Sequence, residues 1–335
     1  MIPRITLHCE TPDWQRLMAE AITDPAELLA ILDLNRALLP AARRAAELFP
    51  LRVPQPYLAR IQKGRPDDPL LRQVLPLEAE CLETLGFIAD PVGDLAASTD
   101  NGIIHKYHGR ALIITTGACA VHCRYCFRRH FPYASASSRS QWPAQIQWLN
   151  RHTQINEVIL SGGDPLSLSD ARLADMASDL AAIPHLRCLR LHTRLPVVLP
   201  QRVDEPLLAW LSALPMPRKI MVIHANHAQE LDANVAESLA RLSAIGVRLY
   251  NQAVLLKGVN DDVRVLSELS ERLMDIGVQP YYLHLLDRVQ GAAHFEVPES
   301  QAKVLLEELA NQLPGYLMPR LVREVPGAGA KQTVL

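Results

Sequence analysis

A parallel α/β barrel left open after six βα units, with a helical region in front of it, is the fold class that the sequence predicts. Three observations carry it. After about residue 100 the chain alternates short β-like apolar runs with amphipathic helical stretches, the pattern of βα units around a parallel sheet. The units number six, fewer than the eight of a closed barrel. Glycines and unusual polar residues recur at the strand ends, where parallel barrels carry their reactive groups.

Residues 11–90 read as short helices punctuated by prolines, as in AELLAILDLNRALLPAARRAAELF, where apolar residues recur three and four apart. No chemistry is legible there. The expected strands are Ala111–Thr115, Glu157–Ser161, Cys188–Thr193, Lys219–His224, Arg248–Leu255 and Val278–Leu285, each short and rich in Val, Ile or Leu. Helices are expected near 140–151, 170–183, 204–214, 232–245, 261–276 and 299–312, several of them starting on Ser, Asp or Asn caps. A short final strand in LMPRLVRE ties the C-terminus to the barrel. The expected organisation is a helical N-terminal region over 1–100, the partial barrel over 101–325 and a C-terminal segment over 326–335.

The strand ends are chemically distinctive. The first strand runs into Gly117-Ala118-Cys119, the second into Ser161-Gly162-Gly163-Asp164, the third into His192-Thr193-Arg194 and the fourth into His224-Ala225-Asn226-His227. Asn251-Gln252 falls within the fifth, and Asp287 lies just past the sixth.

Composition sets the outer limits. With 335 residues, 49% hydrophobic and 21% charged, the chain can bury a large core, and dominant disorder is excluded. Lys and Arg number 34 against 36 Asp and Glu, a net charge of −2, which removes the broad positive field of a nucleic-acid-gripping protein. No stretch approaches the roughly 18 apolar residues of a membrane span, and MIPRITLHCETPDWQ has no uninterrupted apolar leader. A soluble, cytoplasmic protein with no nucleic-acid or membrane partner is expected.

Cys9, Cys81 and Cys188 are scattered, whereas Cys119, Cys123 and Cys126 form a CxxxCxxC loop directly after the first strand. Structural zinc needs a fourth ligand, available only by recruiting His122 or His130. An iron–sulfur cluster fits better, because soft thiolates suit iron and three ligands on a four-iron cube leave one iron open for chemistry. Arg124, Arg128, Arg129 and His130 make the loop too polar for an ordinary core.

This loop resembles the signature of radical S-adenosylmethionine (SAM) enzymes, whose open iron chelates the methionine moiety of SAM. Together with SGGDPL, RLPVVLPQR, NQAVLLKGVND, YYLHLLDRVQGAAHF and PGAGAK, the segment CRYCFRRHFPY is similar to the lysine 2,3-aminomutase family over about residues 100–335. The phrases KGRPDDPLLRQVLP and HKYHGRALI, and a chain that stops four residues after Lys331, favour the branch of that family that serves elongation factor P.

The resemblance implies a radical-SAM partial barrel with three cofactors: a [4Fe–4S] cluster on Cys119, Cys123 and Cys126, SAM, and pyridoxal 5′-phosphate (PLP). It places Ser161, Gly162, Gly163 and Asp164 beside the SAM amino group, the two glycines allowing close backbone approach. Thr193, His224 and Gln252 match further SAM-side positions. Lys331, which from the residues alone reads as part of a solvated tail, becomes the lysine that anchors PLP. Lys106, Tyr107 and Arg110 match phosphate contacts, with Lys106 where catabolic members usually carry arginine and His284 where they carry tyrosine.

For the substrate, the resemblance assigns Arg128 to the carboxylate of lysine and Asp287 and Glu324 to its ε-ammonium, Glu324 standing where catabolic members have Asp. The implied reaction is isomerisation of α-lysine to β-lysine. An external one-electron donor reduces the cluster, and the product serves a separate ligase that modifies elongation factor P. Two rivals are a catabolic aminomutase making free β-lysine and a non-catalytic, metal-stapled binding module.

Overall fold

The computed structural model describes residues 13–133 and 139–334; Cys9 and the start of the N-terminal region lie outside them. Nine strands form one sheet in which spatial order follows chain order: β1 (Ile103–Ile104), β2 (Arg110–Thr116), β3 (Glu157–Gly162), β4 (Cys188–His192), β5 (Arg218–Ile223), β6 (Arg248–Val254), β7 (Gln279–His284), β8 (Arg320–Arg323) and β9 (Gln332–Thr333). Strands β2 to β8 pair in parallel, and β1 and β9 add antiparallel edges.

The six expected strands are β2 to β7, each within about a residue of its expected bounds, and the final strand in LMPRLVRE is β8. The arc therefore holds seven parallel strands rather than six. The two-residue edges β1 and β9 were not anticipated, because so short a run carries no periodicity. Helices Trp142–Arg151, Asp170–Ala181, Glu205–Ala213, Ala233–Ala244, Val263–Asp275 and Glu299–Ala310 supply the crossovers, four of them with a Ser or Asp side chain capping the first turn.

The N-terminal region consists of short helices, Asp13–Ala19, Pro25–Ile31, Leu39–Leu48, Gln55–Leu58 and Pro69–Arg72. Its core is continuous with that of the barrel: Leu28, Tyr57 and Leu70 belong to the same buried cluster as Ile113, Leu160 and Leu191. Burying apolar area stabilises by about 25 cal/mol per Å², so this shared core holds the region against the barrel. No helix among the described residues is long and apolar enough to cross a membrane.

Candidate active site

One cavity of about 650 Å³ gathers every residue that the resemblance assigned to a cofactor or to the substrate. Cys119, Cys123, Cys126, Lys106, Tyr107, Arg110, Arg128, Ser161, Gly162, Gly163, Asp164, Thr193, His224, Gln252, Asp287, Glu324 and Lys331 all line it. They come from the loop before β2, the ends of β2 to β7 and the segment after β8, because in-register parallel strands direct their C-terminal ends to one rim.

The cysteine loop owes its shape to packing on both sides. Gly162, at φ +131°, and Gly163 abut it so closely that an added Cβ would stand 2.6 Å from Thr116 O and 2.4 Å from Ala118 O respectively. The expectation that these glycines admit a ligand is thus refined: protein backbone already requires them. On the other side Arg124 is fully buried, against the expectation that its charge keeps the loop out of a core. Its Nε and Nη2 donate to both oxygens of Glu80, at 2.9 and 2.6 Å, and Arg129 Nη2 donates to Glu80 Oε2 at 2.8 Å. Glu80 belongs to the N-terminal region, so that region, read as free of chemistry, clamps the loop.

The SGGDPL aspartate is committed to the protein. Asp164 accepts from Thr193 Oγ1 at 2.7 Å, Arg194 N at 2.7 Å, Leu195 N at 3.1 Å and Leu166 N at 3.0 Å. Burial pushes its carboxyl up to about 6, opposed by these hydrogen bonds. Asp164 and Thr193 therefore join the second and third strand ends. His224 bonds the backbone of Gln252, and its Nε2 lies 2.8 Å from the Tyr125 hydroxyl; burial holds it neutral, lowering it to about 3.

A second group of charges occupies the side of the cavity formed by β7, β8 and the loop before β2. Lys331 Nζ donates to Glu324 Oε2 at 2.7 Å, while Glu324 Oε1 accepts from Tyr107 at 2.6 Å and Lys106 at 3.3 Å. Lys106 also pairs with Asp94 at 2.5 Å, and Asp94 Oδ2 accepts from Arg128 Nε at 2.7 Å. Burial raises the Asp94 carboxyl, but the Arg128 and Lys106 cations outweigh it and hold it below the ordinary value. Burial pushes Asp287 up to about 7, opposed by Lys331 and reinforced by Glu324.

In this structure Lys106 and Tyr107 both donate to Glu324. Arg110, whose guanidinium lies 5.3 Å from the Tyr107 ring centroid, has no side-chain hydrogen bond among the described residues and keeps its donors available. Asp94, Glu80, Tyr125 and Arg194 went unassigned in the sequence, since their side-chain partners Arg128, Arg124, His224 and Cys123 lie 34 or more residues away. His192 and His284 also face the cavity, and each has a buried Nε2 without a partner among the described residues.

Residues 113–269 match the Radical SAM superfamily. An L-lysine 2,3-aminomutase of Escherichia coli K12 is 45% identical over 95% of this chain and 93% of its own length. One from Haemophilus influenzae Rd is 43% identical over 98% and 97%, and one from Clostridium subterminale 32% identical over 96% and 78%. The chain belongs to the lysine 2,3-aminomutase family.

As a radical SAM isomerase family, the lysine 2,3-aminomutases use a [4Fe–4S] cluster, SAM and PLP, and the cavity fits these groups. Three thiols line it, with burial pushing Cys126 up to about 11 and Cys119 well above its usual range; a metal's positive charge reverses that preference and stabilises thiolates. The unpartnered nitrogens of His192 and His284 and the open guanidinium of Arg110 suit polar, anionic guests.

Proposed function

We propose that this chain converts α-lysine to β-lysine by 2,3-amino migration, dependent on PLP, and that the β-lysine supplies a ligase that modifies elongation factor P. One observation carries the enzymatic part: the three cysteines, the terminal lysine and the acids for an ammonium share a single cavity. The elongation factor P branch rests on KGRPDDPLLRQVLP and HKYHGRALI. In this reading Cys119, Cys123 and Cys126 hold the cluster, which an external donor reduces one electron at a time.

The chemistry that side chains lack, one-electron cleavage of SAM and migration of an amino group held on PLP, comes from the bound cofactors. The chain's own residues bind, orient and move protons. Arg128 gives Nε to Asp94 and Nη1 to Ser161 at 3.2 Å, which fixes its plane and leaves Nη2 for the substrate carboxylate. Glu324 already receives two alkylammonium groups, those of Lys331 and Lys106, and the ε-ammonium of lysine is the same chemical group. With Lys331 anchoring PLP, the Glu324 carboxylate would be released from its ion pair with that lysine and left to receive the substrate's ε-ammonium. Asp287, raised to about 7, completes the pair by ionising when an ammonium arrives.

The test is to incubate the anaerobically reconstituted, reduced protein with SAM, PLP and each of lysine, glutamate and arginine, and to identify any isomer. β-Lysine from lysine alone is expected, with SAM cleavage lost in Cys123→Ala. A colourless, zinc-bearing protein without turnover overturns the reading. Deleting the gene is expected to abolish β-lysylation of elongation factor P; its persistence would leave the catabolic role instead.

A further inference from the structure

Arg194 ends the third strand's His-Thr-Arg run, and its guanidinium is held between two sets of partners. Nη1 donates to Cys123 Sγ at 2.7 Å. Nη2 donates to Gln73 Oε1 at 2.6 Å and to Glu230 Oε2 at 2.7 Å. The residue is only 6% exposed and Glu230 not at all. Glu230 is fixed in turn by Asn226 N at 2.8 Å and Gln73 Nε2 at 3.2 Å, and the Arg194 backbone is fixed through Asp164. Among the described residues no other guanidinium hydrogen-bonds a cysteine of the loop.

We propose that Arg194 is a positioning residue that sets the reduction potential of the iron–sulfur cluster by donating a charge-assisted hydrogen bond to the Cys123 thiolate. The proposal rests on the reading that the three cysteines hold the cluster. Reduction adds an electron whose charge spreads onto the sulfurs, so a fixed cation and N–H donor at one sulfur stabilise the reduced state more than the oxidised one. Burial keeps water from screening that interaction. Glu230 and Gln73 hold the opposite side of the fork, so the donor points at sulfur before any electron arrives. Glu230 also offsets the buried charge, which makes removal of Arg194 alone hazardous for folding.

The test therefore uses the double variant Arg194→Gln/Glu230→Gln, which removes both charges together, beside the native protein and Arg194→Lys. Each is reconstituted anaerobically, its iron and sulfide are counted, and its cluster is titrated with redox dyes under EPR. At equal iron content the double variant is expected to have a more negative potential, and Arg194→Lys to fall between it and the native protein. An unchanged potential in the double variant overturns the proposal. A measurement on the native sequence needs no variant to load: with arginine labelled with ¹⁵N in its guanidine group, pulsed EPR of the reduced cluster is expected to show a ¹⁵N coupling. Absence of that coupling overturns the proposal. A native protein that binds no iron overturns the cysteine assignment itself, which distinguishes the two failures.

Discussion

Lys331 and Glu324 form a 2.7 Å ion pair inside the cavity that the three cysteines also line. The pair spans the turn between β8 and β9, so the antiparallel return of the chain sets the position of the amine. Lys331→Ala should abolish the long-wavelength absorption band of protein-bound PLP while iron content stays near the native level. Retention of the band would put the cofactor's anchor elsewhere.

Asp287 makes the stability of the protein pH-dependent in a defined direction. Its folded value, about 7, lies above the ordinary 3.8. Below the ordinary value both folded and unfolded chains are protonated and the group contributes nothing. As pH rises toward 7 the unfolded chain ionises first, so the native state is progressively destabilised, by about 4 kcal/mol at most, and the effect levels off above 7. Asp287→Asn should therefore unfold at a higher temperature than the native protein at about pH 8 and at the same temperature near pH 4. The same variant should raise the KM for lysine far more than it weakens SAM binding; equal effects on both would remove Asp287 from the lysine pocket.

Among the described residues Glu80 is the single acid paired with Arg124 and Arg129. Replacing it with Ala leaves a fully buried guanidinium uncompensated, so Glu80→Ala should lose about 3–5 kcal/mol in denaturant unfolding. Loss near zero would mean that the N-terminal region does not clamp the cysteine loop.

Gly163→Ala has no room for its methyl group, because Ala118 O stands 2.4 Å from the position that the Cβ would take. Backbone must move, and the backbone nearest is that of the residue before Cys119. The variant should bind less iron per chain after reconstitution, and native iron content at unchanged stability would contradict this packing account.

The strands and helices of the barrel could be read from the chain because each is long enough for its periodicity to show, and the strand-end residues followed from that frame. Their fine partnerships could not. Asp94 meets Arg128 across 34 positions, Arg124 meets Glu80 across 44 and Arg194 meets Gln73 across 121; no local spacing encodes such pairs. Local reading also took Arg124 and its neighbours as too polar for an ordinary core, when a distant carboxylate had made burial of Arg124 tolerable. Glu324 was legible as an acid for an ammonium, yet its present partner, Lys331, emerged only once β9 folded back on β8.

The arc of strands is unclosed, and such arcs usually leave two long rows of unpaired amides and carbonyls on which other chains can polymerise. Here each flank ends in a two-residue strand, Ile103–Ile104 on one side and Gln332–Thr333 on the other, and the first is further covered by Thr99 N donating to Ile103 O at 2.8 Å and His105 N to Ala97 O at 3.1 Å. A neighbour seeking to extend the sheet finds a ledge too short to grip, so openness at the mouth is obtained without inviting fibres.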